Sequence, residues 1–116
     1  MMGRLTTHVL DTANGKPGNG ITISLYSLAG DRNLLTTAVT NADGRTDSPL
    51  LDEGEFRAGS YELEFAVGDY FAAAGNQVAD PPFLGDVVIR VALADDSHYH
   101  VPLLVSPWSY STYRGS

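Results

Sequence analysis

An all-β fold, two sheets packed as a sandwich with one short helix, is what this 116-residue sequence predicts. Apolar and polar residues alternate with a period of two in short segments, as strands with one buried face require. Gly, Pro, Asn and Asp separate those segments and supply the backbone angles of tight turns. A single stretch, residues 68–75, breaks the alternation with an acidic residue, three consecutive alanines and a terminal glycine, and so predicts the helix.

Taken in order, residues 5–10 predict a first, weaker strand, and Asn14-Gly15 predicts a tight turn with positive φ at both central positions. The glycine-rich run 15–20 reads as a loop, since it matches neither a dinucleotide fingerprint nor a P-loop. Residues 21–26, 61–67 and 87–93 alternate cleanly and predict half-buried strands, with a weaker strand over 34–40 and a second tight turn at Asp43-Gly44. Glu62 and Glu64 fall on the outer face of their strand and read as solvated charges. After the helix, Asp80-Pro81-Pro82-Phe83 predicts a loop, because proline lacks the amide proton and restricts its predecessor. Residues 99–105 and 110–114 complete a count of about seven to eight strands.

Length and composition bound the function. A chain of 12.4 kDa with 43% hydrophobic residues predicts a single domain over residues 1–116. So small a core leaves room for stabilisation by further subunits. Seven basic residues against fourteen acidic ones give a net charge of −7, a field that repels phosphate and argues against nucleic-acid and membrane partners. With no cysteine, disulfides, thiolate metal sites and a cysteine nucleophile are excluded. No apolar leader follows Met1 and no uncharged stretch is long enough to span a bilayer, so a cytoplasmic location is expected.

Histidine is scarce, with His8, His98 and His100 alone, and it is the side chain best suited to proton transfer near neutrality. At strand spacing His98 and His100 share one face, about 7 Å apart, while Tyr99, Val101, Leu103 and Val105 face the core. Spacing alone leaves three readings open: solvent-facing residues, a zinc site completed by His8, or general acid/base work. Arg45, just after Asp43-Gly44, is either a solvated turn residue or a guanidinium fixed by a rigid turn. That segment lacks the full acidic spacing and closing glutamate of a calcium loop. The C-terminal segment concentrates Trp108, Tyr110 and Tyr113 where chains usually fray, which calls for an edge strand, a subunit contact or a functional tail to hold it.

Four motifs in order, Leu5-Thr6-Thr7-His8-Val9-Leu10-Asp11-Thr12, Asp43-Gly44-Arg45, His98-Tyr99-His100-Val101-Pro102-Leu103-Leu104 and the terminal Tyr113-Arg114-Gly115-Ser116, resemble the 5-hydroxyisourate hydrolases, transthyretin-related enzymes of urate breakdown. The resemblance runs from about residue 5 to residue 116. It implies a transthyretin-like sandwich, a catalytic set of His8, Arg45, His100 and Ser116, and substrate contacts from His8, Arg45, His98, Tyr113 and Arg114. It further implies a homotetramer, a dimer of dimers with active sites at the dimer–dimer interface, acting on 5-hydroxyisourate without metal or cofactor. Transthyretin carriers of the same fold lack the Tyr-Arg-Gly-Ser ending and replace the second histidine of His-x-His; both features are intact in this sequence. A non-catalytic carrier of a small aromatic ligand and a purely structural β-sandwich module are the rival readings.

Overall fold

The structure, a computed structural model, describes residues 3–76 and 78–115. Among these residues the elements run β1 (Arg4–Asp11), β2 (Lys16–Pro17), β3 (Thr22–Ser27), β4 (Asn33–Val39), β5 (Gly59–Phe65), α1 (Val67–Ala73), β6 (Val87–Leu93), β7 (His98–Val105) and β8 (Tyr110–Thr112). They form two four-stranded sheets, ordered β2-β1-β7-β8 and β4-β3-β5-β6. The expected sandwich with one short helix is therefore what the chain adopts. All pairings are antiparallel except β1 with β7, where the first strand lies parallel to one ninety residues further along.

The alternation in each strand decides which face packs inward. Leu5 and Val9 of β1, Ile23 and Leu25 of β3, Leu63 and Phe65 of β5, and Leu103 and Val105 of β7 are at most 1% exposed and meet between the sheets. Each such side chain contributes roughly 1.5–3 kcal/mol by leaving water. Helix α1 closes one end with Phe71, while the Tyr70 hydroxyl donates a 2.6 Å hydrogen bond to Asp11 Oδ2 at the end of β1. Asp11 is fully buried; burial alone would raise its pKa, yet hydrogen bonds from Tyr70, Asn14 and the Ala13 amide together hold it below the usual carboxylate value.

Several boundaries differ from the sequence expectations. Lys16 and Pro17, read as loop, pair with Asp11 and Leu10 and make β2, a strand too short to carry a periodic signal. Gly15 alone adopts positive φ in that hairpin, because the Asp11 carboxylate accepts from the Ala13 and Asn14 amides and holds a longer turn. Val67 belongs to the helix rather than to the preceding strand, and β8 stops at Thr112, two residues before its expected end at 114.

The second turn matters more for function. Gly44 sits at φ +74°, and a Cβ there would collide with the Val9 carbonyl oxygen, so glycine lets the turn lie directly against β1. The Val9 amide donates to Gly44 O at 2.8 Å, and Asn41 Oδ1 accepts from the Asp43 and Arg45 amides. Arg45 is thereby held on a closed turn whose backbone bridges His8.

Candidate active site

Strands β1 and β7 build the site through their parallel register, which pairs Arg4 with His98, Thr6 with His100 and His8 with Pro102. Leu5, Thr7 and Val9 point inward, as do Tyr99, Val101 and Leu103, so Thr6, His8, His98 and His100 emerge together on the outer face. His8 Nδ1 lies 2.7 Å from His100 Nε2, and the two rings stack with centroids 4.9 Å apart. Thr6 Oγ1 lies 2.8 Å from His100 Nδ1 and 2.8 Å from His98 Nε2. The result is one continuous hydrogen-bonded row: His98, Thr6, His100, His8.

Hydrogen-bond chemistry limits how that row is protonated. Each contact between two imidazoles or between an imidazole and the hydroxyl needs one proton, and the threonine has one to give. His100, with a partner at both nitrogens, must donate from one and accept at the other while neutral. His8 Nε2 has no partner among the described residues and is the ring nitrogen of the pair that is open to a substrate or a water.

Electrostatics keep the pair neutral. Burial, followed by the charges on His8, Arg45 and His98, pushes the His100 pKa down to about 4. For His8, too, burial is the larger cause of a lowered pKa, with the Arg45 charge second. Arg45 itself is exposed, and among the described residues no carboxylate pairs with it. It supplies positive potential to the row without quenching by a counter-ion.

The chain end arrives at the same place. Strand β8 pairs with β7, and the Gly115 amide donates to the His100 carbonyl at 2.7 Å. A Cβ on Gly115 would stand 2.9 Å from His100 Cδ2, so glycine allows the tail to lie against the imidazole. Ser116, expected to be catalytic, lies outside the described residues. Tyr113 and Arg114 do not join the histidine row. Tyr113 is exposed, and the Arg114 guanidinium sits 4.3 Å above the Tyr99 ring, on the core-facing side of β7. Arg114 borders a cavity of about 300 Å³ between the sheet edges, walled by Ile89, Val91, Leu93, Tyr99 and Val101. In the structure this arginine anchors the tail.

Sequence reasoning passed over Thr6. It stands two residues before His8 and therefore shares its face, a signal that strand spacing alone supplies. What the sequence could not show is that β7 would lie beside β1 in the register that puts His100 against it. Among the described residues no group of three or more His, Asp or Glu side chains has the arrangement of a metal centre.

A sandwich ordered this way, with the row on the outer face of one sheet, is a transthyretin-type domain. The profile of the HIUase/Transthyretin family matches residues 5–115, and the chain belongs to that family. It is 60% identical over 115 residues to the 5-hydroxyisourate hydrolase of Mesorhizobium japonicum, covering 98% of this chain and 93% of that protein. Among solved structures it matches (S)-allantoin synthase with a TM-score of 0.94 and 48% identity, covering 99% of this chain but only 44% of that longer one. Sea bream transthyretin in complex with thyroxine matches with a TM-score of 0.86 at 28% identity, covering 97% and 94% of the two chains.

Proposed function

We propose that this chain is a cofactor-independent hydrolase that opens the cyclic amide of 5-hydroxyisourate to a carboxylated ureido-imidazoline in urate breakdown. The observation that carries it is the His8–His100 pair, 2.7 Å apart and held neutral beside Arg45. A neutral imidazole is a base, and one that gains a proton in the first step is the acid the second step needs. Identity of 60% to a named hydrolase, against 28% to a transthyretin in complex with thyroxine, favours the enzyme over the carrier.

Water attacks the ring carbonyl as its proton passes to the histidine pair, and a C–O bond forms. Negative charge develops on the carbonyl oxygen, where the Arg45 guanidinium offers two aligned donors and a full positive charge. Collapse of the tetrahedral intermediate breaks the C–N bond, and the departing nitrogen takes back the proton. His98 extends the substrate-facing surface, Tyr113 and Arg114 support the tail, and Ser116 is assigned to the catalytic set for its hydroxyl.

An outer sheet face is a poor place for such chemistry unless something covers it. We place the active sites where two dimers of a homotetramer meet, with one domain per chain over residues 1–116. Leu10 of β1 and Leu104 of β7 share the outer face with the row, Trp108 lies in the β7–β8 connection and Tyr110 opens β8, and Leu10 and Trp108 are 37% and 64% exposed in the single chain. No helix among the described residues is long and apolar enough to cross a membrane, and the proposed setting is the cytoplasm, without nucleic-acid or membrane partners.

The direct test adds purified protein to freshly generated 5-hydroxyisourate and follows its ultraviolet absorbance against spontaneous decay. Protein-dependent acceleration supports the hydrolase; decay at the uncatalysed rate by a folded tetramer overturns it in favour of a ligand carrier.

A further inference from the structure

We infer that the Thr6 hydroxyl is a proton-relay and positioning group that links the His8–His100 pair to His98, so that the charge taken up at one end of the row comes to rest at the other. This rests on the hydrolase reading above for its consequence in turnover, though not for its geometry. Thr6 Oγ1 stands 2.8 Å from both His98 Nε2 and His100 Nδ1, and His100 Nε2 stands 2.7 Å from His8 Nδ1. A hydroxyl is the one common side-chain group that donates and accepts through a single atom, and here it has an imidazole on each side.

The row is consistent in two opposite directions. In the first, His8 Nδ1–H donates to His100 Nε2, His100 Nδ1–H donates to Thr6 Oγ1, and the Thr6 O–H donates to His98 Nε2. His8 Nε2 then carries a free lone pair. When that lone pair takes a proton from attacking water, one proton moves across each of the three bonds in turn. His8 gives its Nδ1 proton to His100 Nε2, His100 gives its Nδ1 proton to Thr6 Oγ1, and Thr6 gives its own proton to His98 Nε2. His8 and His100 end neutral with their tautomers exchanged, Thr6 ends as a hydroxyl, and His98 ends as an imidazolium. No atom or charge is lost, since one proton enters at His8 and one positive charge appears at His98. Reversal of the same three transfers returns the proton to the departing nitrogen.

Two features favour this over storage on the pair itself. Arg45 opposes positive charge on both His8 and His100, and His100 is further opposed by its two neighbours, so an imidazolium held there stands among like charges. Moving the charge through Thr6 takes it to the start of β7, away from the turn that carries Arg45. Thr6 also fixes His100 in one tautomer at a time, which presents the right nitrogen to His8 at each step. Its neighbour Thr7 faces inward and donates to the Val101 carbonyl, so the two threonines divide structural and relay roles by alternation.

Thr6→Val removes the hydroxyl at nearly constant shape, and Thr6→Ser returns it. The expected result is a kcat lowered about 10-fold or more in Thr6→Val with KM little changed, and recovery in Thr6→Ser. In a Thr6→Val/His98→Gln double variant the loss should be no greater than in the worse single variant, because both cut the same path. Nitrogen-15 spectra of the histidine rings give a readout independent of turnover: Thr6→Val should shift the His100 tautomer balance while Thr6→Ser does not. Undiminished kcat in Thr6→Val, additive losses in the double variant, or unchanged His100 ring shifts would each overturn the relay. If the unmodified protein fails to accelerate 5-hydroxyisourate decay, the hydrolase reading falls, and the ring spectra alone decide whether Thr6 couples the three histidines. Should Thr6→Val not fold, Thr6→Ala is measured in the same way.

Discussion

The outer faces of the two sheets are built by the same alternation and end up chemically opposite. On the β2-β1-β7-β8 sheet, the outward faces of β1 and β7 carry a row of hydrogen-bonding groups, Thr6, His8, His98 and His100, with Arg45 alongside, which no carboxylate pairs among the described residues. Over the outer face of the β4-β3-β5-β6 sheet, the carboxylates of β5 are paired with arginines. Glu62 is 7% exposed, receives hydrogen bonds from Arg32 at 2.8 Å and Arg90 at 2.9 Å, and Arg32 in turn covers the Tyr26 ring. One face joins its polar groups in a row through which a proton can move, whereas the other locks them in ion pairs that hold strands together. Residue type alone does not separate these outcomes; the cross-strand partner does.

The largest effect should come from breaking the first face. His100→Ala and Arg45→Ala are each expected to lower kcat/KM for 5-hydroxyisourate by about 100-fold or more, the range for a lost general base or a lost charge-stabilising donor. The fold of each chain should be preserved, because both side chains lie outside the hydrophobic core, and the assembly should persist on the remaining interface. Circular dichroism and sedimentation check the second half, and turnover within threefold of normal would remove the residue from the mechanism. A smaller loss, about 10-fold, is expected for Gly115→Ala, whose added methyl would press on His100 Cδ2 at 2.9 Å and displace the ring or the tail. An unchanged rate would show that the tail has room to retreat.

Much of this was legible beforehand. The clean alternation over β3, β5 and β6 identifies the strands, and the shared face of His98 and His100 follows from spacing. The four motifs place the family over nearly the whole chain. What was not legible is long-range or local in ways that alternation does not encode. The parallel partner of β1 lies more than ninety positions away, so Thr6 meeting two histidines depends on a register that no local pattern contains. Two residues are too few to show a period, hence β2 was read as loop. Glu62 was read as a solvated charge because its strand position faces outward; two arginines from β6 and the segment before β4 then close over it.

The pH response distinguishes the two faces at intermediate size. An ordinary histidine base would lose activity as pH falls through 6.5, but burial and the Arg45 charge hold His8 and His100 lower, with His100 near 4. In Thr6→Val, where the pair is cut off from His98, the acid limb of kcat/KM is therefore expected below pH 6.5. Arg45→Ala should move it upward but not fully to 6.5, since burial is the larger cause for both rings. In the unfolded chain the same imidazoles protonate near the ordinary value, so the unfolded state binds more protons between about pH 6.5 and 4. Stability linked to the neutral His8–His100 pair is thus full above that window and declines as pH falls through it. Residual activity of Arg45→Ala is enough to locate the limb, and a limb that does not move would separate Arg45 from the row.

The smallest effect is expected on the second face, and it should appear in stability rather than rate. Glu62→Gln keeps the shape of the side chain and removes the charge that Arg32 and then Arg90 use to hold its carboxyl below the usual value. Arg32 and Arg90 are 43% and 71% exposed, so water already competes for their charge and the pair is screened by salt. The melting temperature should fall by only a few degrees at low ionic strength, and the difference should shrink at high salt. The contribution is present above the normal glutamate pKa and is lost as pH drops below it, so the variant and the parent should converge in acid. Turnover should not change, because the ion pairs lie across the hydrophobic core from His8 and His100. If Glu62→Gln slowed the reaction as Gly115→Ala does, the two outer faces would be coupled through the core, and the division between a proton-active face and a structural one would fail.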